Sequence, residues 1–131
     1  GRVVSSFVTQ ALTGDPITIF GDGSQTRSFC YVDDMVEALI KFMETPASIV
    51  GPMNLGNPEE IDINGLAKHI IKLANSCSTI EFQPLPPDDP VQRCPDISYA
   101  KSALSWSPST PLIAGLQKAI AFFRTQLGDI Q

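Results

Sequence analysis

The sequence has little with which to bind a metal ion or to build a disulfide framework. It contains one histidine and three cysteines, Cys30, Cys77 and Cys94, which are odd in number and widely spaced. Because no Cys-x-x-Cys pair is present, we expect no zinc site and no metal. Three unpaired thiols are typical of a protein from a reducing compartment.

Positive charge and long hydrophobic runs are also scarce. Nine Lys and Arg residues stand against fourteen Asp and Glu residues, which gives a net charge of −5. A nucleic-acid-binding domain needs a basic face, so we expect no nucleic acid partner. One or two placed arginines are nevertheless enough to bind a phosphate-bearing small molecule. We find no signal peptide and no apolar run long enough to span a membrane.

Helical patterns alternate with short strand patterns along the chain, which predicts an α/β fold. We expect helix caps at Asp33 or Asp34, Asp62, Asp96 and Thr110, with Pro111 first in the last helix. Gly65, in the first turn of its helix, is expected to cost about 1 kcal/mol relative to Ala. We expect Trp106 to pack between the last two helices, and some helix faces to need a partner domain. Helices are predicted over about 3–12, 35–45, 62–75, 97–104 and 111–123, and strands over 17–20, 27–32, 52–55 and 80–82.

Five stretches carry a family resemblance in the same order: 1–12, 17–34, 53–58, 88–96 and 100–108. Through them the chain resembles the C-terminal part of the extended short-chain dehydrogenase/reductase family that acts on nucleotide sugars. Gly-Asp-Gly-Ser-Gln-Thr-Arg-Ser-Phe (21–29) and Asp-Asp-Pro-Val-Gln-Arg-Cys-Pro-Asp (88–96) are most similar to its UDP-glucuronate decarboxylases. Departures from the usual pattern are Gly65, Cys94 and Ser105, where Ser replaces a Gly and should weaken a left-handed helix cap.

The resemblance implies that residues 1–131 are the C-terminal substrate-binding portion of a Rossmann-type enzyme. The NAD-binding domain would be absent from this chain, since Gly21-x-Gly23 leads into a predicted strand and not into a helix. The family's catalytic Tyr-x-x-x-Lys pair is absent too, because neither Tyr31 nor Tyr99 is followed by a Lys at that spacing. The opening residues, which lack an initiator Met, lead us to expect a fragment or a processed piece.

In such a lyase NAD oxidises C4 of the glucuronic acid ring, carbon dioxide leaves, and NADH returns the hydride to give UDP-xylose. We therefore expect the isolated chain to be inactive and the complete enzyme to be a homodimer. It would be cytoplasmic, or in the Golgi if an anchor lies upstream. Two alternatives stay open. One is another nucleotide-sugar dehydratase or epimerase, and the other is a non-catalytic nucleotide-sugar-binding module.

The resemblance also implies the residues that would bind the UDP-sugar. Thr18, Ile19 and Phe20 would hold the uracil, although Phe20 on composition alone fits a core position. Arg27 and Arg93 would bind the diphosphate with their forked donors.

Simpler alternatives exist for the charged residues. Arg27 could pair with Asp22 or Asp33 at the surface, and Arg93 with Asp96. The adjacent carboxylates of Asp88 and Asp89 point apart and are expected to be solvated turn residues. His69 has no second ligand nearby in sequence and is expected to be non-catalytic.

Overall fold

The computed structural model describes residues 2–130, and the predicted alternation of helices with short strands is confirmed there. Five helices and four strands are described within that range. Their bounds are α1 (Arg2–Thr13), β1 (Ile17–Phe20), β2 (Thr26–Arg27), α2 (Val32–Met43), β3 (Ile61–Asp62), α3 (Ile63–Leu73), β4 (Ile80–Gln83), α4 (Ser98–Leu104) and α5 (Leu112–Ile130). Within that range no helix is both long enough and apolar enough to cross a membrane.

The main core lies where α1 and α3 pack on strand β1 and α5 packs on these two helices. This strand pairs in parallel with β4, so that Ile17 lies opposite Ile80 and Phe20 lies opposite Gln83. Alternate side chains of a strand point to opposite faces, which buries Ile17 and Ile19 against the helices and leaves Phe20 outside. The buried residues of this core are Phe7, Val8, Ala11, Ile17, Ile19, Ile63, Leu66, Ala67, Ile70, Ala74, Leu116 and Ile120.

Helix α3 begins as the sequence predicts, with Asp62 as its N-cap. The Asp62 carboxylate accepts a hydrogen bond of 2.9 Å from the backbone N–H of Gly65. A Cβ atom added to Gly65 would lie 2.5 Å from the Asp62 Oδ1 atom. An alanine at Gly65 would therefore displace the capping carboxylate, a cost that opposes the expected gain in helix propensity.

A second, smaller core joins α2 to α4 and contains Trp106. The indole is buried, and it packs against Ala38 of α2 and against Ala100 and Leu104 of α4. The expected position between α4 and α5 is thus wrong. Ser105 adopts the left-handed conformation, with φ 51° and ψ 41°, at the end of α4. This conformation turns the chain back, so that Trp106 faces α2.

Two of the predicted strands differ from the structure. Of the predicted strand 27–32, only Arg27 lies in a strand, which is β2, where Thr26 and Arg27 pair antiparallel with Asp62 and Ile61. The residues after Arg27 form no further pairs with β3, because helix α2 already begins at Val32. Residues 52–55 form no strand, since Pro52 has no N–H to donate and no neighbouring strand pairs with the segment.

The aspartates that were expected to cap α2 do not do so. Tyr31 holds the N-cap position and makes no side-chain capping bond. Asp34 is buried instead, and its carboxylate accepts bonds from Ser109 Oγ at 3.0 Å and from the Thr110 N–H at 2.9 Å. The backbone N–H of Thr110 is therefore bonded to Asp34. Helix α5 begins at Leu112, one residue after the predicted start at Pro111. The start of α2 is thereby tied to the start of α5.

The start of α4 is held by Asp96, which was the predicted cap. Ile97 occupies the N-cap position, but the Asp96 carboxylate accepts bonds from the Ser98 N–H at 2.9 Å and from Ser98 Oγ at 2.6 Å. These bonds from Ser98 lower the pKa of Asp96 below its usual value. The Asp96 carboxylate therefore accepts bonds from the first residue of the helix, although Asp96 lies one residue before the N-cap position.

Candidate functional site

The turn between β1 and β2 forms one wall of the candidate site. Gly21 and Gly23 both have positive φ angles near 80°, which L-residues rarely adopt. Between them Asp22 accepts bonds from the Ser24 side chain at 2.6 Å and from its N–H at 2.9 Å. These bonds from Ser24 lower the pKa of Asp22 below its usual value. The Asp22 carboxylate therefore forms its hydrogen bonds within the turn. The expected alternative of an Arg27–Asp22 ion pair is wrong.

Helix α3 holds this turn from behind through Asn64. Its side-chain amide donates to the carbonyl oxygen of Asp22 at 2.9 Å, and its backbone N–H donates to that of Gly23 at 3.0 Å. A Cβ atom on Gly23 would collide with the Asn64 side chain. The glycine is thus required for the close approach of turn and helix, and the turn has a fixed position relative to the core.

Arg27 lies between two cavities, and most of its side chain is covered. One terminal nitrogen donates to the carbonyl oxygen of Thr26 at 2.7 Å, and the other donates to Asp89 Oδ2 at 3.1 Å. The side chains of Arg27 and Asp89 are 16% and 32% exposed. The expectation that Asp89 is a solvated turn residue is therefore wrong. An arginine has five N–H donors, so donors are left for a ligand.

The larger cavity, of about 750 Å³, contains both of the arginines that the sequence singles out. Arg27 reaches it from β2, and Arg93 reaches it from the proline-rich loop after β4. Ser28 Oγ donates to the carbonyl oxygen of Arg93 at 3.2 Å and so ties that loop to the wall. The Arg93 side chain is exposed and, among residues 2–130, forms no ion pair, so the alternative of pairing with Asp96 is wrong.

Tyr31 also lines this cavity, next to α5. Its ring lies 5.1 Å from the ammonium group of Lys118, which is within the range of a cation–π contact. Gly115 lets α5 come close, since a Cβ atom there would lie 3.3 Å from the ring. The lining of this cavity therefore includes two arginines and an aromatic ring that an ammonium group contacts.

A smaller cavity of about 290 Å³ lies on the other side of Arg27. Thr18 and Phe20 line it, together with Gln25 and Asp89. Phe20 is 50% exposed, so the alternative that it is a core residue is wrong. Its ring and the arginine thus flank one space that a flat ring could enter.

The two neighbours of Phe20 in the predicted base site are placed differently. Thr18 lines the small cavity, and Gln10 holds it through bonds to its hydroxyl at 3.3 Å and to its N–H at 3.2 Å. The Ile19 side chain is buried in the main core and lines neither cavity. The N–H groups of Ile17 and Gly21 donate to the carbonyl oxygens of Thr79 and Gln83, and with this alternation the backbone of Ile19 also faces β4.

Glu60 holds the proline-rich loop over the site. Its Oε1 atom accepts bonds from Gln92 at 2.7 Å and from Thr26 Oγ1 at 3.0 Å. The Thr26 N–H also donates to the carbonyl oxygen of Val91 at 2.9 Å. Sequence reasoning missed Glu60, Gln92 and Asp89, because each acts on a residue more than thirty positions away and no local pattern marks such a contact.

The described residues do not fit the binding of a dinucleotide. The glycine turn leads into β2 and packs on Asn64, whereas a dinucleotide needs a turn that opens directly into a helix N-terminus. Cys30 lines the larger cavity, but burial and then the Asp34 carboxylate raise the pKa of its thiol. A protonated thiol is a poor nucleophile. His69 is exposed on α3, at the rim of another cavity and away from both arginines.

Comparison with known proteins identifies similar sequences. Residues 1–56 match the NAD dependent epimerase/dehydratase family. The chain is 47% identical over 127 residues to UDP-glucuronic acid decarboxylase 1 of Arabidopsis thaliana and 49% identical over 127 residues to the protein of that name from Danio rerio. The chain is a relative of the UDP-glucuronic acid decarboxylases. These alignments cover 97% of this chain but 29% and 30% of the two relatives, so the chain spans about a third of their length.

Solved structures agree with the fold. UDP-glucuronic acid 4-epimerase from Bacillus cereus, in complex with UDP-glucuronic acid and NAD, superposes with a TM-score of 0.89 at 32% identity. UDP-glucose 4-epimerase from Thermotoga maritima, with UDP-glucose, superposes with a TM-score of 0.88 at 31% identity. Each match covers 95% of this chain and 40% of the other. The expected relation to extended Rossmann-type nucleotide-sugar enzymes is thus confirmed.

Proposed function

We propose that this chain is the substrate-binding portion of an NAD-dependent UDP-glucuronate decarboxylase, which forms UDP-xylose and carbon dioxide. The observation that carries the proposal is the meeting of Arg27 and Arg93 at one cavity of about 750 Å³. Two arginines are the residues best suited to a diphosphate, since each guanidinium can bind two oxygens at once. The choice of sugar and of reaction in this proposal follows from the two relatives, which are named UDP-glucuronic acid decarboxylases.

In this proposal the UDP-sugar spans both cavities. The diphosphate lies between Arg27 and Arg93, and the uracil enters the small cavity beside Thr18 and Phe20. The Phe20 ring covers one face of the base, and backbone groups near Ile19 face its polar edge. The sugar then extends into the larger cavity toward Tyr31.

The chain would bind and orient the substrate, and residues outside it would carry out the chemistry. NAD supplies the oxidation and the return of the hydride in such enzymes, and the described residues do not fit it. We therefore propose that NAD binds to an N-terminal portion outside these 131 residues. The relatives are long enough to contain such a portion. The isolated 131 residues are accordingly proposed to release no carbon dioxide from UDP-glucuronate.

Titration of the isolated chain with UDP, followed by calorimetry, tests the binding part of the proposal. Arg27→Ala and Arg93→Ala should each weaken UDP binding by at least tenfold, which is the loss of one charge-assisted contact of about 1.5–3 kcal/mol. Lys68→Ala, on the exposed side of α3, is the matched control and should bind as the parent does. Unchanged affinity in both arginine variants would contradict the assignment of the diphosphate site.

A second candidate is a C4 epimerase of UDP-glucuronate. It is favoured by the Bacillus cereus epimerase, which was crystallised with UDP-glucuronic acid and shares the fold. Incubation of the complete enzyme with UDP-glucuronate and NAD separates the two reactions. A decarboxylase yields carbon dioxide and a pentose nucleotide, whereas an epimerase yields an isomer that keeps its carboxylate.

A further inference from the structure

Both cores contribute to the wall of the larger cavity. Leu112 and Leu116 of α5 line it, and both are part of the main core or pack against it. Tyr31 and Met35, at the start of α2, also line it. Helix α2 belongs to the second core through Ala38. The shape of this cavity therefore depends on how α2 and α5 are held relative to each other.

Helices α2 and α5 pack mainly on other elements. Helix α2 packs on α4, whereas α5 packs on α1 and α3. Beside the cavity the two helices meet at the Tyr31 ring, which lies next to Gly115 and Lys118 of α5. Apolar contacts of this kind have no preferred direction, so they fix a separation less sharply than hydrogen bonds do.

Asp34 supplies the directional link between the two helix starts. Its side chain is 3% exposed, and it is the only charged side chain that is buried among the residues whose burial the structure describes. The carboxylate accepts bonds from Ser109 Oγ at 3.0 Å and from the Thr110 N–H at 2.9 Å. Bonds to an ionised acceptor are stronger than neutral ones, and a buried carboxylate without them is costly. The residues just before α5 are therefore held firmly against the first turn of α2.

The link ends on residues that line the cavity at both sides. Tyr31 precedes Asp34 by one helical turn, and Met35 follows it directly. Thr110 donates to Asp34 and lines the cavity, as does Pro111 after it. Asp34 does not itself line the cavity, so it acts on a ligand only through these neighbours.

We propose that Asp34 is a positioning residue for the sugar of the UDP-sugar, because it fixes the part of the cavity wall that Tyr31 and Thr110 form. This inference rests on the proposed function, in which the diphosphate lies at Arg27 and Arg93 and the sugar extends toward Tyr31. The two arginines lie on β2 and on the proline-rich loop, and not on the helices that Asp34 links. Loss of the link should therefore weaken the hold on the sugar and leave the binding of UDP nearly unchanged.

Steady-state kinetics of the native-length enzyme test the proposal. Chromatography of the nucleotides follows the consumption of UDP-glucuronate, whichever product forms, and UDP serves as the inhibitor. Asp34→Ala removes both bonds and should raise the KM for UDP-glucuronate by about fivefold or more, since small displacements of a binding wall are costly. The inhibition constant of UDP should stay within about twofold of the parent value, because neither arginine moves.

Two further variants separate positioning from general loss of structure. Asp34→Asn keeps an acceptor for the Thr110 N–H and gains an amide that can donate to Ser109, so its KM should return to within about threefold of the parent value. Asp33→Ala is the matched control, since Asp33 is exposed, lies in the same helical turn and does not line the larger cavity. Both of its constants should equal those of the parent.

A third variant replaces Asp34→Ala if that protein does not fold. Ser109→Ala removes one of the two bonds at an exposed residue and keeps the backbone bond from Thr110. Its KM for UDP-glucuronate should rise by about twofold to threefold, again with an unchanged inhibition constant for UDP.

Three results would overturn the proposal. Equal increases of the KM and of the UDP inhibition constant would indicate a structural role alone, and so would an Asp34→Asn variant as impaired as Asp34→Ala. Unchanged constants in the folded Asp34→Ala variant would show that the link does not reach the ligand. Failure of the proposed function is recognised separately, by an Arg27→Ala variant with unchanged inhibition by UDP. A parent enzyme that consumes no UDP-glucuronate would overturn the proposed function and this inference with it.

Discussion

Asp89 lies 3.1 Å from the guanidinium of Arg27, and this contact joins two segments that are 62 positions apart in the sequence. Asp89 belongs to the proline-rich loop, whereas Arg27 belongs to β2. The carboxylate lines the smaller cavity, where the uracil is proposed, and it bonds the same guanidinium that is proposed to bind the diphosphate. An anionic ligand at Arg27 therefore has to compete with Asp89 or accept it as a neighbour.

Asp89→Asn should strengthen UDP binding by about threefold to fivefold. The expected gain corresponds to about 1 kcal/mol, the upper value for a partly exposed ion pair, because the variant removes a competing charge and keeps the shape. Calorimetric titration with UDP at low salt measures it.

Asp88→Asn is the matched control for this variant, since Asp88 is exposed and adjacent, and asparagine tolerates its φ of 66°. We expect its UDP affinity to stay within twofold of the parent value. Weaker binding by the Asp89→Asn variant would show that Asp89 orients Arg27 and does not compete with the ligand.

The pKa of Asp34 predicts a loss of stability in acid. Desolvation raises the pKa of this buried carboxyl, but the bonds from Thr110 and Ser109 outweigh it and hold the pKa below its usual value. A depressed pKa means that the native state favours the ionised form. This contribution to the free energy of unfolding is therefore present above about pH 4 and disappears as the pH falls below that value.

Asp34→Asn should lower the free energy of unfolding by about 1–3 kcal/mol at pH 7, because the variant loses a charged hydrogen-bond acceptor. Urea denaturation at pH 7 and at pH 3 measures the effect, and the difference from the parent should shrink at pH 3. Asp33→Asn, in the same helical turn but exposed, is the control and should change stability little. A difference that is as large at pH 3 as at pH 7 would contradict the role of ionisation.

Gly65→Ala should destabilise the protein by about 1 kcal/mol, although alanine is the better helix former. The reason is the 2.5 Å approach of the new Cβ atom to the capping oxygen of Asp62. A double-mutant cycle with Asp62→Ala measures the coupling in urea. Once the carboxylate is gone, Gly65→Ala should be neutral or stabilising. Equal effects in both backgrounds would indicate that the cap is not involved.

Ser105→Gly should stabilise the protein by about 1 kcal/mol, because glycine adopts the left-handed conformation without strain from a Cβ atom. Ser105 has a φ of 51° at the end of α4. Thermal unfolding of this variant and of Ser105→Ala, which keeps the Cβ atom, measures the difference. A gain in the alanine variant that matches the gain in the glycine variant would point to the loss of the hydroxyl as the cause.

Local patterns in the sequence predicted the elements that have local causes. The apolar spacing of α1, the alternation in β1 and the cap at Asp62 each depend on residues within one or two helical turns, and each was confirmed. Arg27 and Arg93 were selected by a family resemblance, and the structure places both at one cavity. Their role in binding stays a prediction.

The errors concern residues whose partners are remote in the sequence. Asp34 has the composition of a helix cap, but its hydrogen bonds go to residues about 75 positions away. Asp89 was interpreted as a turn residue because nothing near it in the sequence indicates Arg27. Trp106 was expected between α4 and α5 because it lies between them in the sequence, whereas the backbone conformation of Ser105 directs it to α2. Local sequence propensities depend only on nearby residues, whereas these contacts form only when remote segments of the chain come together in the folded protein.

The parallel pairing of β1 with β4 has a consequence for how the protein folds. Ile17 can find Ile80 only after the intervening helices α2 and α3 have been synthesised, because parallel strands cannot be joined by a tight turn. Closing a loop of that size is entropically slow, and it precedes the placement of the loop that carries Asp89 and Arg93. The two walls of the candidate site therefore meet late, and a nascent chain released before Gln92 would have one wall without the other.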